Sequence, residues 1–302
     1  MLYIVATPIG NLSEITYRAV EILKNADIIA AEDTRHTSVL LKNYGITTPM
    51  LAYHKFNEKK MLPQLIDRLK NGQNIALVSD AGMPLVSDPG GYLIEELKSN
   101  NIPYTVVSGA CALINALVLS GMDTSSFYFI GFLPEKKIDK VRKLQEISGV
   151  SCPIIFYSSV HNVKDDLEFL FAQLGKRRVA VVREISKIYE EIITGYLGEI
   201  PEFTQKGEFV LVIEGAPKKT YDDISVQEHY QQYLSKGLSK KEAVKKVAAD
   251  RNVAKSIIYK QVIDAEDWCI ICTYANFMLF IMDKILQISN WKNIIIKQVL
   301  QK

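Results

Sequence analysis

I-A-L-V-S-D-A-G-M-P-L-V-S-D-P-G-G (Ile75–Gly91) is the most informative stretch of the chain. Its first four residues, Ile75–Val78, are an apolar run of the kind that forms a buried strand. The run empties into two Ser-Asp turns, Ser79-Asp80 and Ser87-Asp88, set among Gly and Pro. A strand that opens into a Gly/Pro-rich loop at a sheet edge is how an α/β protein builds a ligand crevice. Gly82, Gly90 and Gly91 lack a Cβ, so main-chain N–H groups there can approach a ligand closely. Asp80 and Asp88 offer carboxylates suited to ribose hydroxyls or an amino group.

Working outward, short β-type runs alternate with helix-period stretches. The strands expected are Leu2–Ala6, Asp27–Ala31, Ile75–Ser79, Pro103–Val107, Phe127–Gly131, Ile154–Tyr157, Arg178–Arg183 and Phe209–Glu214. Helices are expected at Ile15–Lys24, Leu62–Asn71, Tyr92–Ser99, Ala112–Ser120, Lys137–Ile147 and Val163–Leu174. This alternation predicts an α/β protein of βαβ units with mostly parallel sheets. Polar seams at Gly121–Ser126 and Ala216–Thr220 divide it into α/β domains at 1–121 and 122–216. A small helical module at 225–264 follows, with helices at Gln227–Lys236, Lys240–Ala249 and Ala254–Ile263. The last segment, 265–302, is an atypical apolar tail too short in its apolar run to span a bilayer.

With 302 residues, 48% of them hydrophobic, the chain can bury more than one core. A net charge of +2 gives no global polyelectrolyte character, but charge is concentrated locally. Lys236, Lys240, Lys241, Lys245, Lys246, Arg251, Lys255 and Lys260 are opposed only by Glu242 and Asp250, a footprint that suits nucleic acid or a solvated helix face. Four cysteines, Cys111, Cys152, Cys269 and Cys272, are too scattered for a disulfide framework, and the Cys269/Cys272 pair lacks the second half of a zinc site. No metal site, secretion signal or membrane anchor is expected, and a cytoplasmic location fits. H-E-x-x-H, Walker and G-x-G-x-x-G motifs are absent from the sequence.

Seven segments, the opening loop among them, fall in a fixed order: L-Y-I-V-A-T-P-I-G-N-L (Leu2–Leu12), A-E-D-T-R (Ala31–Arg35), Y-H-K-F-N-E (Tyr53–Glu58), the S-D-A-G-M-P-L-V-S-D-P-G loop, G-F-L-P (Gly131–Pro134), R-E-I-S-K (Arg183–Lys187) and G-E-F-V-L-V-I-E-G (Gly207–Gly215). Together, over residues 1–263, they resemble the ribosomal RNA small subunit methyltransferase I family of the tetrapyrrole methylase superfamily. The resemblance implies a two-domain tetrapyrrole-methylase-like fold with S-adenosylmethionine in the interdomain cleft, acting as a homodimer. It implies 2′-O-methylation of a cytidine ribose in the decoding region of 16S rRNA, free or in the assembled small subunit. It also assigns Pro8, Ser79, Asp80, Ala81, Gly82, Pro84, Ala110, Cys111 and Tyr157 to the cofactor.

A ribose hydroxyl is a poor nucleophile, so a proton acceptor or an alkoxide-stabilising field helps. Asp33, Glu184 and His54 sit at strand ends and are the candidates, in that order. Arg35, Asn57, Lys187, Lys240, Lys241 and Lys245 are the candidates for RNA contact. The chain departs from the family pattern at Ser108–Cys111, at Phe156–Asn162, where a carboxylate and a guanidinium are missing, and in Trp268–Lys302. Two other functions stay open: a small-molecule methyltransferase of the same superfamily, and a catalytically impaired RNA-binding relative.

Overall fold

The computed structural model describes residues 1–88, 90–217, 221 and 223–262. The tail expected at 265–302 and the pair Cys269/Cys272 lie outside the described residues. Two compact units divide at Pro217, and each is treated by itself.

The first unit holds two five-stranded sheets. Its first half runs β1 (Leu2–Val5), α1 (Tyr17–Asn25), β2 (Ile28–Ala31), α2 (Thr34–Asn43), β3 (Met50–Ala52), α3 (Glu58–Lys70), β4 (Ile75–Val78), α4 (Gly91–Ser99) and β5 (Tyr104–Val107). All pairings are parallel, in the order β3-β2-β4-β1-β5. Strands β2 and β4 are buried at every residue, as a sheet covered on both faces requires. One face packs Ala19 and Leu23 of α1 and Leu41 of α2 against Val5, Ile29, Ala76 and Val78. The other packs Leu65 and Leu69 of α3 and Leu93 and Leu97 of α4 against Leu2, Ile4, Ala30 and Leu77. The chain therefore leaves β2 toward one face and β4 toward the other. Adjacent strands whose exits diverge define the crevice of an open α/β sheet.

Next come α5 (Ala112–Leu119), β6 (Tyr128–Phe132), α6 (Lys137–Ile147), β7 (Ile154–Ser158), α7 (Val163–Leu174), β8 (Arg178–Arg183), β9 (Glu191–Tyr196) and β10 (Phe209–Ile213). The second sheet has the order β6-β7-β10-β8-β9. Only β6 and β7 run parallel; β10 is antiparallel to β7 and β8, and β8 to β9. The expectation of mostly parallel sheets is corrected here. No helix separates β8, β9 and β10, and strands joined without a crossover must pair antiparallel. Side chains alternate cleanly across this sheet. Ile154, Phe156, Val179, Val181, Phe209 and Leu211 face α6 and α7, while Ile155, Ala180, Val182, Val210 and Val212 face α5. Helix α5 thus follows the first sheet in sequence but packs under the second.

In the second unit, α8 (Val226–Ser235), α9 (Lys240–Asp250) and a helical stretch at 255–262 enclose Tyr230, Ala243, Val244, Val247, Ala248, Ile258 and Val262. Ser225/Glu228 and Ser239/Glu242 form capping boxes at the two helix starts. His229 is buried. Tyr221 stacks on it at 3.8 Å, its Nε2 lies 3.2 Å from Asp250, and Arg251 Nε donates to its Nδ1 at 3.3 Å.

Candidate functional site

The loop after β4 is tied back to the loop after β1. Thr7 and Gly82 form an isolated antiparallel bridge, with N···O distances of 2.9 and 3.0 Å in the two directions. Gly82 holds φ +77°, and a Cβ there would lie 3.2 Å from the Ile9 side chain, so a residue without one is required. Beneath the bridge, the Thr7 hydroxyl donates to the Ser79 carbonyl. The result is a cavity of about 480 Å³, of the size that takes a nucleoside-sized ligand. Its walls are the β4 loop (Asp80–Met83, Val86–Asp88), Glu32 after β2, Ile9, the start of α5 at Cys111-Ala112, and Tyr157, Ile185 and Glu208 from the second sheet.

Of the residues assigned to a cofactor from sequence, Asp80, Ala81, Gly82, Cys111 and Tyr157 line this cavity. Ser79 lies beneath it, Ala110 presents its carbonyl toward Gly82, and Pro8 and Pro84 belong to the same two loops without forming its wall. The Tyr157 hydroxyl accepts from the Leu113 N–H at the start of α5, and burial pushes its pKa up to about 12.

Three carboxylates crowd one wall. Asp80 Oδ1 accepts from the Asp33 N–H at 3.0 Å, and the Asp80 N–H points at Glu32 Oε2 at 3.4 Å. Burial raises the Glu32 pKa, with the Asp80 charge adding to it. Asp88 is pushed up to about 6, first by burial, then by the charge of Glu32, against a hydrogen bond from Ser79. Sequence reading missed Glu32, while Asp88 was expected to hold ribose hydroxyls or an amino group. The signal for Glu32 was present, because it is the first residue past β2 on the same sheet edge as the loop.

The three candidate proton acceptors are placed differently. Asp33 caps α2, a helix that sequence reading did not expect, by accepting from the Arg35 N–H at 2.8 Å. Its carboxylate also takes three bonds from the Arg35 guanidinium, which hold its pKa far below the usual range. Glu184 Oε1 accepts from Lys187 Nζ and the Glu208 N–H, both at 2.9 Å. Burial opposes ionisation there, but these bonds prevail and the pKa falls. His54 lies beside Glu32, with its Nδ1 buried and without a hydrogen-bond partner among the described residues.

Among the residues expected to meet RNA, Asn57 has both ends of its amide engaged. It accepts from the His54 N–H and donates to the Ala52 carbonyl, stapling its own loop. Arg35 is exposed on the Asp33 pair, and Lys187 bridges Glu184 and Glu208. In the second unit, Lys241 and Lys245 of α9 line a shallow groove with Lys255, Tyr259 and Lys260, and Lys240 begins the same helix.

Residues 1–201 match the family Tetrapyrrole (Corrin/Porphyrin) Methylases. A ribosomal RNA small subunit methyltransferase I from Halalkalibacterium halodurans is 45% identical over 268 residues, spanning 85% of this chain and 93% of that protein. The protein of the same name from Bacillus subtilis is 41% identical, over 86% and 92%. The chain belongs to the ribosomal RNA small subunit methyltransferase I family. It is a methyltransferase. Among solved structures, a uroporphyrin-III C-methyltransferase from Thermus thermophilus, complexed with S-adenyl homocysteine, shares the fold of this methyltransferase. Its TM-score is 0.50 at 17% identity, covering 70% of this chain and 96% of that one.

Proposed function

We propose that this chain transfers the methyl group of S-adenosylmethionine to the ribose 2′-oxygen of a cytidine in the decoding region of 16S rRNA. The observation that carries the reading is the cavity at the β2/β4 divergence, walled by the Asp80–Asp88 loop and rimmed with carboxylates. The donor supplies a sulfonium leaving group and a net positive sulfur. Glu32, Asp80 and Asp88 give that cation a complementary field, and the Thr7–Gly82 bridge holds the loop in place for it.

Methyl transfer is an in-line displacement, so alignment does most of the catalysis. The hydroxyl oxygen forms its bond to the methyl carbon while the carbon–sulfur bond breaks, its pair staying on sulfur. The hydroxyl proton needs an acceptor. Asp33 and Glu184, held strongly ionised by their partners, are weak bases and serve better to position Arg35 and Lys187 for phosphate. Asp88 keeps a pKa close to the working pH, the condition under which a general base is most effective, and faces the cavity.

The protein works as a homodimer in the cytoplasm. Val106 on edge strand β5, Ile114 and Val118 on α5, and Phe127 and Tyr128 at edge strand β6 are all exposed. Apolar side chains on consecutive elements at two sheet edges suit a second copy of the same surface.

Incubation with labelled methyl donor and small subunits from a strain lacking the modification tests the reading. A single label on a cytidine ribose in the decoding region is expected. Label on another nucleotide, or none, overturns it.

A further inference from the structure

Loops that border the cavity carry large apolar side chains turned to solvent. Phe56, on the loop after β3, is 94% exposed; Ile188 and Tyr189, on the loop after β8, are 94% and 71% exposed. Both loops reach the site. Glu58, where the first runs into α3, accepts from the Gly90 N–H beside the β4 loop at 3.0 Å. Ile185 of the second lines the cavity, and a Cβ on Gly10 would sit 2.3 Å from Lys187 Cγ, so that loop packs closely on the β1 loop.

The exposed tips stand on fixed main chain. The Asn57 amide staples residues 52–57 from within. Glu190 accepts from the Ser186 N–H at 2.7 Å, and Arg183 donates to the Tyr189 carbonyl at 2.9 Å. A rigid loop that holds an aromatic ring in water has set aside burial it could have gained by folding the ring inward.

Charge indicates what covers these rings. The carboxylates of these loops accept main-chain donors and keep their charge: Glu58 from Gly90, Glu190 from Ser186, Glu184 from Glu208. Lys55 is exposed beside Phe56, Lys60 is exposed in the first turn of α3, and Lys59 lies over the Tyr92 ring at 4.8 Å. Outward aromatic rings, with lysines beside Phe56, match single-stranded RNA, whose unstacked bases pair with π-faces while its phosphates meet lysine and arginine.

Resting on the function proposed above, we propose that Phe56 and Tyr189, one from each sheet's loops, are stacking platforms for unpaired rRNA bases flanking the target nucleotide. Ile188 widens the apolar floor beside Tyr189.

The test uses the full chain with Phe56→Ala, Tyr189→Ala and Phe56→Trp. Each alanine variant should raise KM for the RNA substrate about tenfold, leaving kcat and donor affinity near those of the parent. Phe56→Trp should restore KM, and its emission, read against the parent, should be quenched by a single-stranded oligonucleotide and not by a duplex. Unchanged KM in both alanine variants, or emission indifferent to saturating oligonucleotide, overturns the proposal. A KM that rises for subunits while naked-oligonucleotide affinity stays fixed also overturns it and assigns the rings to a ribosomal protein. The quenching needs no methyl transfer, so a failure of the functional reading is seen separately.

Discussion

Asp88 carries opposing demands within one side chain. Its surroundings hold the pKa near 6, so at neutral pH the folded protein keeps a half-buried charge that an unfolded chain would solvate freely. The contribution is greatest below about pH 4, the ordinary value for Asp, and is lost as pH rises through 6. Asp88→Asn should therefore stabilise the protein at pH 7 by on the order of 1 kcal/mol, allowing for solvent screening, measured by denaturant melts at pH 4 and 7. The same variant should lose about a hundredfold or more in turnover and the ionisation near pH 6 from its rate profile. A profile that keeps that limb assigns the proton to another group. Gly82→Ala adds a Cβ at φ +77° against Ile9. Donor affinity should fall about tenfold, at ~1–2 kcal/mol for that backbone region, as titration calorimetry can measure.

The elements explain what was legible in the chain. Strand Arg178–Arg183 and helices Lys137–Ile147 and Val163–Leu174 were read with the bounds they have, because apolar periodicity and length agree there. Helix α2 was missed: T-R-H-T-S-V-L-L-K-N is poor in strong helix formers, and its start rests on the Asp33 cap. That omission made Asp33 look like a strand-end acid. Strand β3 is three residues, below what a pattern can reveal, and β9 carries a glycine that breaks its alternation. The β4 loop was legible as a site because Gly and Pro punctuate it. The wall at Ile185 and Glu208 was not, since it depends on a sheet whose strand order no local pattern encodes, and Tyr157 entered only through the family resemblance. In the helical module, the capping boxes give a clean test. Ser239→Ala should cost about 1 kcal/mol of helix stability, read by thermal circular dichroism.

At the scale of the whole molecule, surface and core respond to different probes. Val118→Lys places a charge in the exposed apolar strip and should shift the assembly to monomer in sedimentation velocity. A dimer that persists removes that strip as the contact. In the second unit, His229 is kept neutral chiefly by burial and by Arg251, against the pull of Asp250, so its pKa is lowered. Stability from this group is complete above the ordinary histidine value of about 6.5 and declines as pH falls below it. Hydrogen exchange in α8 and α9 should quicken as pH falls below about 6.5, and His229→Gln should flatten that response.

Helix α5 has one further consequence. Because it follows one sheet and is roofed by the other, a fragment cut at residue 121 would strip the cover from Leu113, Ala116 and Leu117. A chain ending there should therefore expose that apolar face and self-associate, which light scattering can measure.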